Sequence, residues 1–327
     1  MKVLLATDGS QWADAALEVI LWRPWAPGTQ VSVISVVEPL HEKVDKIFQL
    51  FGLGETALTA QKQFRQQTEK ILERYGDKLC AKFGKENVRV DILEGDARKI
   101  ICRTASSQGS DIIVIGPHGL KNAPDFLLGP VAEYLLGHAP CSVEILKQAN
   151  LSTMIGELEH KQPVEEDKYL IAVDGSQQSQ ALLDTVMART WPPHSFFKLV
   201  TVIEPLAVGY SGLGPWESSQ HVSDLSERVR QAQRDEAVQM VEAMAEKLTA
   251  SLPDAEVNGQ VLEGDPRTQI LEAARSWPCD LIIMGSHGHR GVPDSLLGSV
   301  SRAVAGLAPC SVLINKAPQS AADSESV

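Results

Sequence analysis

A chain of 327 residues with 43% apolar and 22% charged residues is long enough for two or three folded units, two fitting best, and wholesale disorder is excluded. The formal net charge of −12, with a pI near 5.2, repels nucleic-acid backbones and anionic lipid surfaces, so neither nucleic acid nor membrane is expected as a partner. A small bound nucleotide is not excluded, because backbone N–H groups at a helix start can hold phosphates whatever the global charge.

The N-terminal MKVLLATDGSQ carries one Lys and a short apolar run before Asp8, too short for a signal-peptide core or a membrane span, so a cytoplasmic protein is expected. Strands are expected at about 3–8, 30–37, 87–94, 111–116 and 141–147, separated by helical patterns. In the long helix between the second and third strands, Phe64, Ile71, Leu72, Tyr75 and Leu79 form the apolar stripe. Runs such as IIVIG lack alternation, as strands buried on both faces of a parallel sheet do. Polar and acidic residues with Pro163 then mark a linker at 149–167.

From 168 onward the chain repeats itself. KVLLATDGS at 2–10 returns as KYLIAVDGS at 168–176, and VVEP at 36–39 as VIEP at 202–205, at an offset of 166. Beyond an insertion the offset becomes 169: ILEGDAR at 92–98 faces VLEGDPR at 261–267, DIIVIGPHG at 111–119 faces DLIIMGSHG at 280–288, and APCSV recurs at 139–143 and 308–312. The second set of strands is expected at about 169–174, 197–204, 256–262, 280–285 and 310–315, with Val222, Leu225, Val229, Val241, Met244 and Leu248 as the long helix's stripe. The organisation is a first domain at 1–148, a second at 168–316 and an acidic tail at 317–327, each domain an α/β unit with a parallel sheet between helices. The five Cys form no C-x-x-C pair and are expected to be reduced and mostly buried; Trp25 and Trp191, each before a Pro-containing turn, are expected to be packing residues.

The most informative stretch is Gly285-Ser286-His287-Gly288, nine residues, then Gly298-Ser299-Val300-Ser301. It follows a buried strand and opens a helix, which puts it at the carboxyl edge of the sheet, where open α/β folds bind ligands. Glycines there let backbone approach a phosphate, and Ser299 is expected to cap the helix and, with the first N–H groups, to form an anion site. A methyl group at Gly298 is expected to obstruct a phosphate. No P-loop or dinucleotide fingerprint occurs. The first copy keeps the spacing as Gly116-Pro117-His118-Gly119 and Gly129-Pro130-Val131-Ala132. Pro117 and Pro130 lack the N–H of Ser286 and Ser299, and Ala132 lacks the hydroxyl of Ser301, a loss expected to weaken phosphate binding roughly a hundredfold.

This motif, with Asp174 ending the first strand and TVIE ending the second, resembles the ATP-binding motif of the universal stress protein family, and the likeness covers both copies. The resemblance implies two tandem five-stranded, Rossmann-like (adenine nucleotide α-hydrolase-like) domains with strand order 3-2-1-4-5. It implies ATP, with Mg²⁺ carried on its phosphates, adenine near Asp174 and the backbone of Val202, and phosphates over Gly285, Gly288, Gly298, Ser299, Val300 and Ser301. His287 is a further candidate contact inside the loop, although a loop histidine also serves local backbone groups. The family further implies pairing of domains through their last strands, here within one chain, and a homodimer of chains in a stress-response or signalling role. Two rival readings stand beside it: an enzyme that slowly hydrolyses ATP or transfers its phosphate, for which no general base is identifiable although His289 and Arg290 lie in the loop, and a nucleotide-free scaffold.

Overall fold

The computed structural model describes residues 1–38, 54–119, 128–147, 167–204, 219–288 and 297–316. The first half runs β1 (Lys2–Ala6), α1 (Gln11–Trp22), β2 (Gln30–Val37), α2 (Gly54–Phe83), β3 (Val88–Glu94), α3 (Ala97–Gln108), β4 (Ile112–Ile115), α4 (Pro130–His138) and β5 (Ser142–Ile145). The second half repeats this order as β6 (Lys168–Ala172), α5 (Gln177–Met187), β7 (Phe196–Ile203), α6 (Ser219–Ser251), β8 (Glu256–Glu263), α7 (Pro266–Ser276), β9 (Leu281–Gly285), α8 (Ser299–Leu307) and β10 (Ser311–Asn315).

All ten strands form one sheet in the order β3-β2-β1-β4-β5-β10-β9-β6-β7-β8. Each half therefore has the expected 3-2-1-4-5 order. Every pairing is parallel except β5 with β10, which meet antiparallel, Leu313 opposite Glu144, and join the halves within the chain. The helices cover both faces, and each face carries one apolar cluster drawn from both halves, one including Ile113, Val143, Ile282 and Val312, the other Leu5, Tyr75, Ile171 and Leu313. Central strands such as IIVI and LIIMG read as unbroken apolar runs because both faces are covered this way.

The strand-to-helix turns are built alike. Asp8 Oδ1 accepts from the Ser10 N–H and Asp174 Oδ1 from the Ser176 N–H, while Gly9 (φ +76°) and Gly175 (φ +79°) take the left-handed conformation between them. Ser10 and Ser176 then cap α1 and α5 through their side chains. Both Asp residues thus have the structural role that their Gly-Ser context allows.

The long helices pack through Leu72, Tyr75 and Leu79 in α2 and Val241, Met244 and Leu248 in α6, all buried. Phe64 departs from the expected stripe: it is 41% exposed, near the start of α2. Trp25 and Trp191 are packing residues as expected, each donating its indole N–H to a carbonyl of the preceding helix, Ile20 or Val186. All five Cys are free thiols; Cys141, Cys279 and Cys310 are buried, and Cys80 and Cys102 are half-buried. The linker at 149–166, the tail at 317–327, His289, Arg290 and the side chains of Val222 and Leu225 lie outside the described residues. Among the described residues no helix is long and apolar enough to cross a membrane.

Candidate functional site

The chain leaves β6 toward β7 on one side and later returns to β9 on the other, so the carboxyl ends of β6 and β9 flank a topological switch point, where open α/β sheets bind ligands. Asp174 follows β6 there. Its Oδ1 also accepts from the Ser179 hydroxyl at 2.7 Å, which in turn accepts from the Asp174 N–H. Val202 lies one strand over, near the carboxyl end of β7 and half-buried.

Beyond Gly285 the loop is fastened to its surroundings. The Ser286 N–H donates to the Asn315 carbonyl on β10, and the His287 N–H to Gln178 Oε1 on α5. His287 Nδ1 lies 3.1 Å from the Ser286 hydroxyl. Gly288 lies close against Asp174: a Cβ there would press on Asp174 Oδ2, and the carboxylate would have to shift. The structure thus brings Asp174 and Gly288 together, although they are far apart in sequence. Gln178, which sequence reasoning missed, fixes the loop from α5; the repeat hides it, because its counterpart is Trp12.

Gly298 is the N-cap of α8, and its N–H donates to the Ser286 carbonyl at 2.9 Å. Two expectations change here. Ser299 does not cap α8; it is the first helical residue, and no side chain caps this helix. The Ser301 hydroxyl, buried, donates its one proton to the Gly285 carbonyl at 2.8 Å, tying helix to strand instead of facing outward. A methyl group at Gly298 would meet the Ser286 carbonyl oxygen at 3.1 Å, so this glycine accommodates the chain's own backbone.

What remains open is the start of α8. The N–H groups of Ser299, Val300 and Ser301 cannot find carbonyl partners inside their own helix, and Ser299 is exposed. Side chains cap α1, α3, α5 and α7 through Ser10, Asp96, Ser176 and Asp265, whereas α4 and α8 have glycine caps without a side-chain bond. The two glycine-capped helices are those following the glycine loops. Their aligned N–H dipoles suit a negative group.

The first domain keeps this frame. A Cβ on Gly119 would sit 2.6 Å from Asp8 Oδ2, and the Gly129 N–H donates to the Pro117 carbonyl at 2.7 Å. Its helix α4 starts with Pro130, which suits the first helical position but removes one outward N–H. Trp12 stands where Gln178 stands in the second domain and packs edge-on against His118, centroids 5.9 Å apart, and His118 is buried. Elsewhere, a groove of about 350 Å³ between α2 and β3 is rimmed by Glu69, Glu73, Asp77 and Asp91, a charge pattern that repels phosphates. Among the described residues no group of three or more His, Cys, Asp or Glu could hold a metal ion.

The model of the universal stress protein family matches residues 1–147 and 167–316. The chain belongs to this family. Universal stress protein MJ0531 of Methanocaldococcus jannaschii is 32% identical over 154 residues, covering 46% of this chain and 83% of the relative. Universal stress protein YxiE of Bacillus subtilis is 30% identical over 149 residues, 45% of this chain and 97% of the relative. Both relatives thus correspond to about half of the chain, in line with the internal repeat. A universal stress protein from Archaeoglobus fulgidus matches the whole tandem fold, with a TM-score of 0.54 at 18% identity over 96% of each chain.

Proposed function

We propose that the second domain binds ATP and that the chain acts in stress response or signalling, with nucleotide occupancy altering its stability or its surface for partners. The observation that carries this reading is the start of α8: an uncapped helix beginning with exposed Ser299, at the switch point of the sheet, beside the glycine loop that Asp174 and Gln178 hold. In this reading the phosphates lie over Gly285, Gly288 and Gly298 and take the N–H groups of Ser299, Val300 and Ser301, with the Ser299 hydroxyl as a further donor. Adenine lies toward Asp174 and the backbone of Val202, with His287 flanking the phosphates. Mg²⁺ would be held by the phosphates. No residue of the site is assigned as a general base or as a transition-state arginine, and any hydrolysis is expected to be slow, far below an ordinary enzymatic turnover of about 10 per second.

Native mass spectrometry of the purified full-length chain tests this directly, with one adenine nucleotide per chain as the expected stoichiometry. ATP with Mg²⁺ should raise the melting temperature of nucleotide-free protein more than GTP does, since only a ligand of the native state stabilises it. A melting curve unmoved by millimolar ATP overturns the proposal.

A further inference from the structure

The halves meet on a local two-fold relation: Glu144 on β5 faces Leu313 on β10, and these are equivalent positions of the repeat at the offset of 169. Whatever stands at 144 and 313 would therefore face itself if either domain paired with a second copy of its own kind. The two sides are not chemically equal. Glu144 is fully buried and takes a two-pronged contact from Arg23, Nη1 and Nη2 at 2.8 and 2.7 Å. Arg189 stands at the repeat position of Arg23, at the end of α5, but its own last strand offers Leu313 in place of a carboxylate. The Arg189 Nε is enclosed and has no hydrogen-bond partner. At the rim the same inequality recurs, since Glu133 on α4 and Arg302 on α8, again repeat equivalents, bond each other at 2.8 Å.

We infer that the seam is coded by charge: the first domain supplies the carboxylates that the second domain's cations need, so the β10 face accepts the first domain and rejects a second copy of itself. In a pair of second domains, two half-buried Arg189 side chains, each with its Nε enclosed, would flank an apolar Leu313–Leu313 contact without Glu144, and Arg302 would face Arg302. Uncompensated enclosed charge is among the most destabilising features a protein interface can carry. The titration behaviour agrees with the geometry. Burial pushes the Glu144 carboxyl up, but Arg23 and then Arg189 outweigh it and hold it below the usual carboxylate range. Burial pulls Arg189 down to about 10 despite the attraction of Glu144, with Asp111 adding a weaker pull the other way. Asp167 likewise adds only weak support to Arg23 beside that of Glu144. On this view the first domain, whose phosphate loop is altered, serves as the dedicated partner of the second, a role independent of whether either binds nucleotide.

The test uses point variants of the full-length chain that rebuild the rejected seam inside one molecule. Glu144→Leu reproduces the carboxylate-free contact and should lower the folding equilibrium constant, read by guanidinium denaturation, at least about a hundredfold. Glu144→Leu with Leu313→Glu moves the carboxylate across the local axis to Arg189 and should recover most of that loss. Glu144→Leu with Arg23→Leu and Arg189→Leu removes the three charges around the contact of positions 144 and 313 and should recover it too, which separates unpaired charge from damaged packing. A swap variant no more stable than Glu144→Leu, or a Glu144→Leu chain as stable as the wild type, overturns the inference. Where Glu144→Leu alone yields no folded protein, the swap and triple variants decide by folding or failing to fold.

Discussion

The two glycine loops share a skeleton and differ in what they present. In both, the second glycine lies against the Asp that ends the first strand, and the third glycine turns its N–H to the loop carbonyl that precedes the histidine. These contacts are internal, so they persist whether or not a ligand is held. The difference lies at the helix start, Ser299 against Pro130, and at the α-helical neighbour of the histidine, Gln178 against Trp12. A glycine motif alone therefore reports a way of folding a loop, and the residues around it decide whether the loop is open to phosphate. The structure also reduces the expected penalty in the first domain. Of the three losses read from sequence, the Ser286 N–H serves Asn315 and the Ser301 hydroxyl serves Gly285, which leaves only the Ser299 N–H; the Ser299 hydroxyl, also absent from Pro130, is a fourth group that the sequence reading did not count.

The largest effect expected from breaking this comparison comes from the glycines beside the Asp residues. Gly288→Ala and Gly119→Ala both press a Cβ on a carboxylate oxygen of the neighbouring Asp, which must shift, and each should cost about 1–3 kcal/mol in chemical denaturation. Only Gly288→Ala should abolish the thermal shift produced by ATP; equal loss in both variants would mean that both loops bind. Next comes Ser299→Pro, which imposes the first domain's helix start on the second. The helix should form normally, because proline suits the first helical position, while ATP affinity measured by calorimetry falls at least about a hundredfold, since the N–H and the hydroxyl of Ser299 are both lost. The reverse change, Pro130→Ser, should bring a second, weaker ATP site into view at millimolar concentration, weaker because Trp12 still packs on His118. A stoichiometry that stays at one under these conditions would show that Trp12 matters more than Pro130. The smallest effect is expected for Ser301→Ala, which removes the tie to Gly285: about 1 kcal/mol of stability, with ATP affinity altered less than about threefold. A tenfold affinity loss there would return Ser301 to the role of phosphate donor.

Much of this architecture was legible in the residues because it rests on local periodicity and on repetition. Unbroken runs such as IIVI and LIIMG specify buried parallel strands, and two collinear copies separate the domains without any contact information. The Asp-Gly-Ser turns were equally legible, since their bonds span two residues. Phe64 escaped the pattern because burial depends on what stands opposite, which a stripe does not report.

The sequence by itself determined the two-domain α/β plan and the position of the candidate loop, because hydrophobic period and turn chemistry act over a few residues. Only the tertiary structure decided which polar groups in that loop are already engaged, since the partners of Ser286, His287 and Ser301 are Asn315, Gln178 and Gly285, brought in from other elements. It likewise decided that Glu144 on β5 is bonded by Arg23 from the end of α1 and faces Leu313 of the other half. A hydrogen bond or a buried charge is settled by distances of a few ångströms between residues far apart in sequence, and those distances exist only once the sheet has closed across the seam.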